Sequence, residues 1–179
     1  MRQLIYLSVC LFSLVTTAHS EPIDQARAAA ELAPFKQKLQ QALRSGLAHG
    51  PVEAITTCRI EAPAIATALS DEFLRLGRAS HRLRNPDNVA PAWVVPVLDE
   101  HVAEPSSRQA RLVTLPNDGT GYIEPIVVQP LCMTCHGTQL APAVAAKIDE
   151  LYPSDQARGY TVGELRGVFW LEFSPDRSY

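Results

Sequence analysis

Cys132-Met133-Thr134-Cys135-His136 constrains this chain more than any other five residues in it. The pattern is C-x-x-C-H, and its chemistry is that of covalent haem attachment. Two thiols separated by two residues match the two vinyl groups along one side of a porphyrin, and each adds across a vinyl to form a thioether. The histidine that follows is then held beneath the iron as its proximal ligand. Other uses of C-x-x-C fit less well. A structural zinc site needs a second ligand pair at similar spacing, and the sequence has none. A thioredoxin-like redox site belongs between an early strand and a helix, whereas this pair comes late, after Pro125 and Pro130. A disulfide across two residues would be strained and would leave His136 unexplained. The alternative without haem is a thiol-disulfide protein that uses Cys132 and Cys135.

The start of the chain agrees with the motif. Met1-Arg2 is a short positive region, Leu4 to Val15 is almost wholly apolar, and Ala18-His19-Ser20 is a small-x-small site before Glu21-Pro22. This reads as a signal peptide over 1–20, cleaved after Ser20, that exports 21–179 to the periplasm as a single domain. The apolar run falls short of the ~18 residues a membrane helix needs, and no later segment approaches that length, so no membrane span is expected in the mature chain. C-type haem is attached outside the bacterial cytoplasm, so compartment and motif point the same way. The formal net charge of −3 lacks the basic footprint of a nucleic-acid partner.

A six-coordinate haem iron needs a ligand on its second face, and many electron-carrying c-type haems use methionine there. Beyond Met1 the chain has only Met133. That residue lies inside the attachment loop and cannot reach across its own haem. The candidates are then Cys58, His49, His81, His101, the lysines Lys36, Lys38 and Lys147, or an empty position. Cys58 follows Val52 and Ile55 at a spacing of three, on the apolar face of a short helix. A small buried hydrophobe is its other reading. His49 precedes Gly50-Pro51 at a helix end, and His81 and His101 sit among charges that suggest exposure.

The periodicity predicts helices first. Ala28, Leu32, Phe35, Leu39 and Leu43 recur at three and four over Gln25 to about Leu47, with Pro34 a possible kink. A short helix follows over Val52 to Cys58. A third runs from Pro63 to Leu76, with Gly77 as its terminator. Arg78 to Leu83 alternates loosely as a strand, and Trp93 to Val102 is a helix entered through Pro91. Arg111 to Leu115 and Tyr122 to Val128 form a hairpin with Asp118-Gly119 in its turn. Ala143 to Leu151 is helical, and Gly163 to Phe173 closes as a strand. Helices before an antiparallel sheet define an α+β fold. They exclude a four-helix haem bundle and a small class I cytochrome c, in which the motif comes early and a methionine late.

Four ordered blocks carry a family resemblance. They are Ala54-Ile55-Thr56-Thr57-Cys58 with Ala62-Pro63-Ala64-Ile65-Ala66; Gly77-Arg78-Ala79-Ser80 with Arg84-Asn85-Pro86-Asp87-Asn88; Cys132 to Gly137; and Tyr152-Pro153-Ser154-Asp155-Gln156-Ala157-Arg158-Gly159-Tyr160 leading to Gly163-Glu164-Leu165-Arg166-Gly167. In these the chain resembles a bacterial family of PAS-like c-type haem domains, catalogued as a domain of unknown function. The resemblance implies a five-stranded antiparallel PAS-like sheet with flanking helices, and iron ligation by His136 and Cys58. It also implies either the sensor domain of a membrane kinase or chemoreceptor, or a stand-alone haem protein; this chain reads as the stand-alone kind.

Cys132, Cys135, His136 and Cys58 are thus the expected haem-binding residues, with His136 and Cys58 as iron ligands to one covalent haem c. The expected role is redox-linked: redox or gas sensing through a Cys58 ligand switch, with low-potential electron transfer as the alternative. The expected partners are a periplasmic redox or signalling protein and a small gas ligand. An enzyme is not expected, because Cys58 would fill the position that a reaction needs. Arg84 and Arg59, ahead of Arg78 and Arg82, are candidates to pair with the haem propionates, and Tyr122 and Trp93 are candidates for the pocket wall.

Overall fold

The structure, a computed structural model, describes residues 22–175 except 117. The signal peptide over 1–20 lies outside the described residues. Helix α1 (Gln25–Ala48) begins where the Asp24 carboxylate accepts the Arg27 N–H at 2.7 Å, as an N-cap should. Ala28, Leu32 and Phe35 are buried along one stripe of it. A two-residue connection, His49 and Gly50, turns the chain into α2 (Pro51–Ala68). Gly50 sits at φ 107°, which glycine adopts freely, and Pro51 occupies the first helical position. The two helices touch where Gly46 meets Ala54: a Cβ on Gly46 would lie 2.6 Å from the Ala54 Cα.

Strands β1 (Leu74–Ala79), β2 (Arg111–Thr114), β3 (Thr120–Val127) and β4 (Leu165–Phe173) make one antiparallel sheet in the order β1-β4-β3-β2. This is the α+β arrangement expected, helices first, with four strands among the described residues rather than five. The segment after Ala79 does not pair as an edge strand. Its side chains fasten it elsewhere: Arg82 donates to the carbonyls of Gln156 and Arg158, and Arg84 donates to Asp155.

One sheet face packs on α1. Leu74, Leu76, Tyr122, Leu171 and Phe173 form a core with Ala28, Leu32 and Phe35, joined by Ile65, Ala66 and Leu69 of α2. The other face takes helix α3 (Val95–Ala103): Val97 and Leu98 bury against Ala79, Ile123, Val168 and Trp170. Trp93 and Tyr122, expected near the pocket, belong to these two cores. Trp93 stands edge-on to Trp170, with centroids 6.3 Å apart, and donates to Glu172 at 3.1 Å. Tyr122 is 1% exposed in the α1-facing core.

The helix expected over Pro63 to Leu76 is corrected in two ways. Pro63 lies inside α2, where it is exposed and its neighbours Ala62, Ile65 and Ala66 are tied into packed faces. Tertiary burial outweighs the one hydrogen bond that proline removes. Leu74 and Leu76 then alternate with exposed Arg75 in β1. The Asp71 carboxylate starts this strand by accepting the N–H groups of Phe73 and Leu74 at 2.8 and 2.7 Å. Gly77, read as a helix terminator, is mid-strand, and its missing Cβ leaves room for the Trp170 ring.

A register shift between Ile126 and Val127 bends β3 beside Gly167. Gly167 has φ 155°, and a Cβ there would lie 2.2 Å from the Ala79 carbonyl oxygen. Backbone cannot yield as a side chain end can. Gly167→Ala is therefore expected to cost at least about 2 kcal/mol in denaturant unfolding, against little change for Gly163→Ala in urea midpoint beyond its own backbone strain at φ 93° in open space. Equal losses at the two positions would contradict this account of the bulge.

Candidate cofactor site

The C-x-x-C-H residues follow the end of β3. Pro130–Cys132 is one 3-10 turn and Met133–His136 one α-helical turn, here α4. The Gln129 N–H donates to the Cys132 sulfur at 3.3 Å. Gly137 closes the turn with its N–H on the Met133 carbonyl at 3.1 Å. A Cβ on Gly137 would lie 2.6 Å from that oxygen, so glycine is what permits the tight exit.

His136 is mounted by the segment that follows helix α5 (Pro142–Leu151). Its ring Nδ1 lies 2.7 Å from the Ala157 carbonyl oxygen. A carbonyl only accepts, so Nδ1 carries the proton and Nε2 keeps its lone pair. Its own carbonyl accepts the Tyr160 N–H at 2.9 Å, and the Gly137 carbonyl accepts the Gly159 N–H at 2.9 Å. The ring meets the Tyr160 ring edge-on, with centroids 6.3 Å apart. Burial, then the nearby Arg166 and Arg84 charges, push the His136 pKa down to about 3. The imidazole is therefore a neutral, oriented donor.

Asp155 and Arg84 brace this mount from behind. Arg84 donates to both Asp155 carboxylate oxygens, at 3.0 and 3.3 Å, to the Cys135 carbonyl at 2.6 Å and to the Ala157 carbonyl at 3.2 Å. The Asp155 side chain is 1% exposed and that of Arg84 12%. Burial raises the Asp155 pKa, but hydrogen bonds from Arg84 and Arg158 outweigh it and hold the carboxyl below its ordinary 3.8. The stability this pair supplies is thus whole above pH 3.8 and is lost as pH falls through the lower folded value. Asp155→Ala leaves Arg84 buried and unpaired, and is expected to cost about 3 kcal/mol in denaturant unfolding at neutral pH. A loss under about 0.5 kcal/mol, the size of an ordinary surface change, would remove Asp155 from the brace.

Cys58 joins the site from α2. Its helical neighbours Val52 and Ile55 pack with Val144 and Ile148 of α5, and Cys135 belongs to that same cluster. Cys132 and Met133 pack instead with Val128, Ala157 and Tyr160. All three thiols are free. Burial raises the Cys135 pKa, and Cys58 and Cys132 act on it as neighbouring charges. Burial likewise raises that of Cys58, against the lowering effect of Arg78 and Arg84. A cleft of about 320 Å³ is lined by Arg59 and Pro63 of α2, by Arg84 and by Tyr152, among others.

The other candidate ligands lie elsewhere. His101 was expected to be exposed and is fully buried, on α3, with Nδ1 3.2 Å from the Ser107 hydroxyl. Its side of α3 faces the core even though its chain neighbours are charged. His49 is exposed with Nδ1 on the Ser45 carbonyl, and His81 is exposed beside Tyr160. Lys36 pairs with Glu124 and Lys147 with Glu150; Lys38 is exposed on α1. Arg84, favoured for an incoming carboxylate, is instead committed to Asp155 and the Cys135 carbonyl. Sequence reasoning missed the Ala157 carbonyl and Tyr160 as the mount of His136. The only signal for them was the Tyr152–Tyr160 block itself.

Fold and site define a class: an α+β domain with one antiparallel sheet that gathers two thiols, an oriented imidazole and a third cysteine in one region. The chain belongs to the Tll0287-like family, whose model matches residues 16–174. It is also similar to the crystal structure of the cyanobacterial haem protein Tll0287, with a TM-score of 0.60 and 24% identity over 85% of this chain and 97% of that one. At that identity the likeness establishes the fold. Against curated proteins the chain has no match.

Proposed function

We propose that this chain is a periplasmic monohaem c-type protein with a redox-linked role, in which Cys58 acts as an exchangeable iron ligand. The observation that carries the reading is the mount of His136: two free thiols on successive turns, with the next residue a neutral imidazole whose Nδ1–H is fixed on the Ala157 carbonyl. The residues fit the group. Cys132 and Cys135 would hold the ring by thioethers, His136 would ligate through Nε2, and Cys58 is the thiol left to face the other side. When bound, haem would supply a one-electron iron couple and a coordination position for a small ligand.

The chain's own residues set how that couple behaves. The Cys58 thiolate is an anionic donor and favours the ferric state. With haem bound, Cys58 Sγ would be the atom that takes up a proton on reduction and gives up its place as a neutral thiol. That vacates a position for CO, NO or a similar molecule, which makes sensing the favoured role. Among the described residues no helix is long and apolar enough to cross a membrane. The location rests on the export-like residues 1–20.

The test is the optical spectrum of the protein expressed with c-haem maturation machinery. A c-type pyridine haemochrome is expected, with a six-coordinate ferric form and a ferrous form that binds CO. A colourless product would sink the haem reading and favour thiol-disulfide chemistry at Cys132 and Cys135. A ferrous form that stays six-coordinate and refuses CO would keep the haem and end the switch, leaving low-potential electron transfer.

A further inference from the structure

Strand β1 places Arg78 on the sheet face that looks toward α1 and α2, in the row that continues through Phe169 of β4 and Glu124 of β3. The rest of that row is engaged. Phe169 meets Phe35 edge-on with centroids 5.9 Å apart, and Glu124 pairs with Lys36 and accepts the Tyr122 hydroxyl at 3.3 Å. Three other arginines around the site are engaged too. Arg82 donates to the Gln156 and Arg158 carbonyls, and Arg166 to the Ser80 hydroxyl at 2.8 Å. Arg84 is spent on Asp155 and the Cys135 carbonyl.

Arg78 differs. Its guanidinium is partly buried and makes no hydrogen bond or ion pair with any described residue. Packing lowers its pKa, and the charges that act on it in return are those of Cys58 and Tyr152. Burial first, then the charges of Arg84 and Arg78, lower the pKa of Arg166, while Tyr160 and Asp155 raise it. Asp155 is already shared by Arg84 and Arg158. The site therefore holds more buried positive charge than its own carboxylate answers. A desolvated guanidinium without a partner is costly, and its planar fork suits a carboxylate.

A porphyrin fastened to Cys132 and Cys135 by its vinyl edge presents its two propionates at the edge opposite. Arg84, bonded to the Cys135 carbonyl, sits at the fastened edge. We propose that Arg78 is the residue that receives a haem propionate: Arg59 also makes no hydrogen bond among the described residues, but it is exposed and lies over the Tyr152 ring, whereas Arg78 is partly buried with its donors free. The inference rests on the haem reading above.

The test uses the haem-loaded protein as wild type, Arg78→Gln and Arg78→Lys, each also combined with Cys58→Ala. Midpoint potential and the propionate bending bands in resonance Raman are the two readouts. A cation here favours the reduced form, so Arg78→Gln is expected to shift the reduction equilibrium about tenfold toward the ferric state, about 59 mV for one electron. Arg78→Lys should recover most of that shift, and the shift should persist without Cys58. The propionate band should move in Arg78→Gln. Equal behaviour of Gln and Lys, an unmoved propionate band, or a shift that vanishes with Cys58→Ala would each overturn the assignment, the last by giving Arg78 to the thiolate. If Arg78→Gln yields no haem protein, Arg78→Lys decides alone: a near-wild-type potential and band support the pairing, and loss of haem overturns it. A wild-type chain that matures without haem would instead fail the reading on which this rests.

Discussion

Acid-acetone should remove all of the haem from the Cys132→Ala/Cys135→Ala double variant and none from the wild-type chain. Each thioether is a covalent bond from one of these sulfurs, so either single variant should keep its haem through one link. Only the double variant should release it. The fold is expected to survive. Cys132 is partly buried and contributes its sulfur as acceptor for the Gln129 N–H. Cys135 is partly buried in the Val144 and Ile148 cluster. Truncating two such side chains costs about 1 kcal/mol each, out of the ~5–15 kcal/mol that keeps a domain folded. Far-ultraviolet circular dichroism of the double variant should match wild type. Colour that stays with the double variant after extraction would place the haem on other residues.

How legible this outcome was in the sequence varies along the chain. The C-x-x-C-H turn was legible as a motif, and the structure brings its two free thiols together with the His136 ring fixed at Nδ1. Also legible was α1, whose stripe repeats without interruption, and so was the β2–β3 hairpin, where Asp118 takes φ 61° in the turn. The stretch from Pro63 to Gly77 was not. Ile65, Leu69, Phe73 and Leu76 keep helical spacing by coincidence across a helix end and a strand start. The Asp71 side chain separates the two, and no periodicity records that. His101 misled for a related reason: charged neighbours in the chain say nothing about which side of α3 its own side chain takes. The partners of Arg84 could not be read either, since Asp155, Cys135 and Ala157 are brought to it only by the folded return of the chain after α5. What decided each miss was a long-range contact that outweighed a local preference.

The thiolate at Cys58 should dominate the redox chemistry, and Cys58→Met is the substitution that exposes it. Methionine keeps a sulfur donor but makes it neutral, and so withdraws the preference for ferric iron that an anionic ligand confers. Axial ligand identity moves haem potentials over a range of about 0.8 V, so a rise on the order of a few hundred millivolts is expected for this exchange. Cys58→Ala should act differently. It leaves the second face without a protein donor, turns the ferric spectrum from six-coordinate low-spin toward high-spin, and lets ferrous protein bind CO without a preceding slow step. In wild type, CO binding should wait on departure of the thiol and be correspondingly slower. Helix α2 should tolerate both changes, because Cys58 is only partly buried and the neighbouring Ile55 anchors that turn against α5. A ferric spectrum and potential unmoved in both variants would return Cys58 to simple packing. His49 and His81, both exposed, could then reach iron only after rearrangement, and His101 on α3 would first have to leave the core. Cys58, by contrast, lies within electrostatic reach of Cys135.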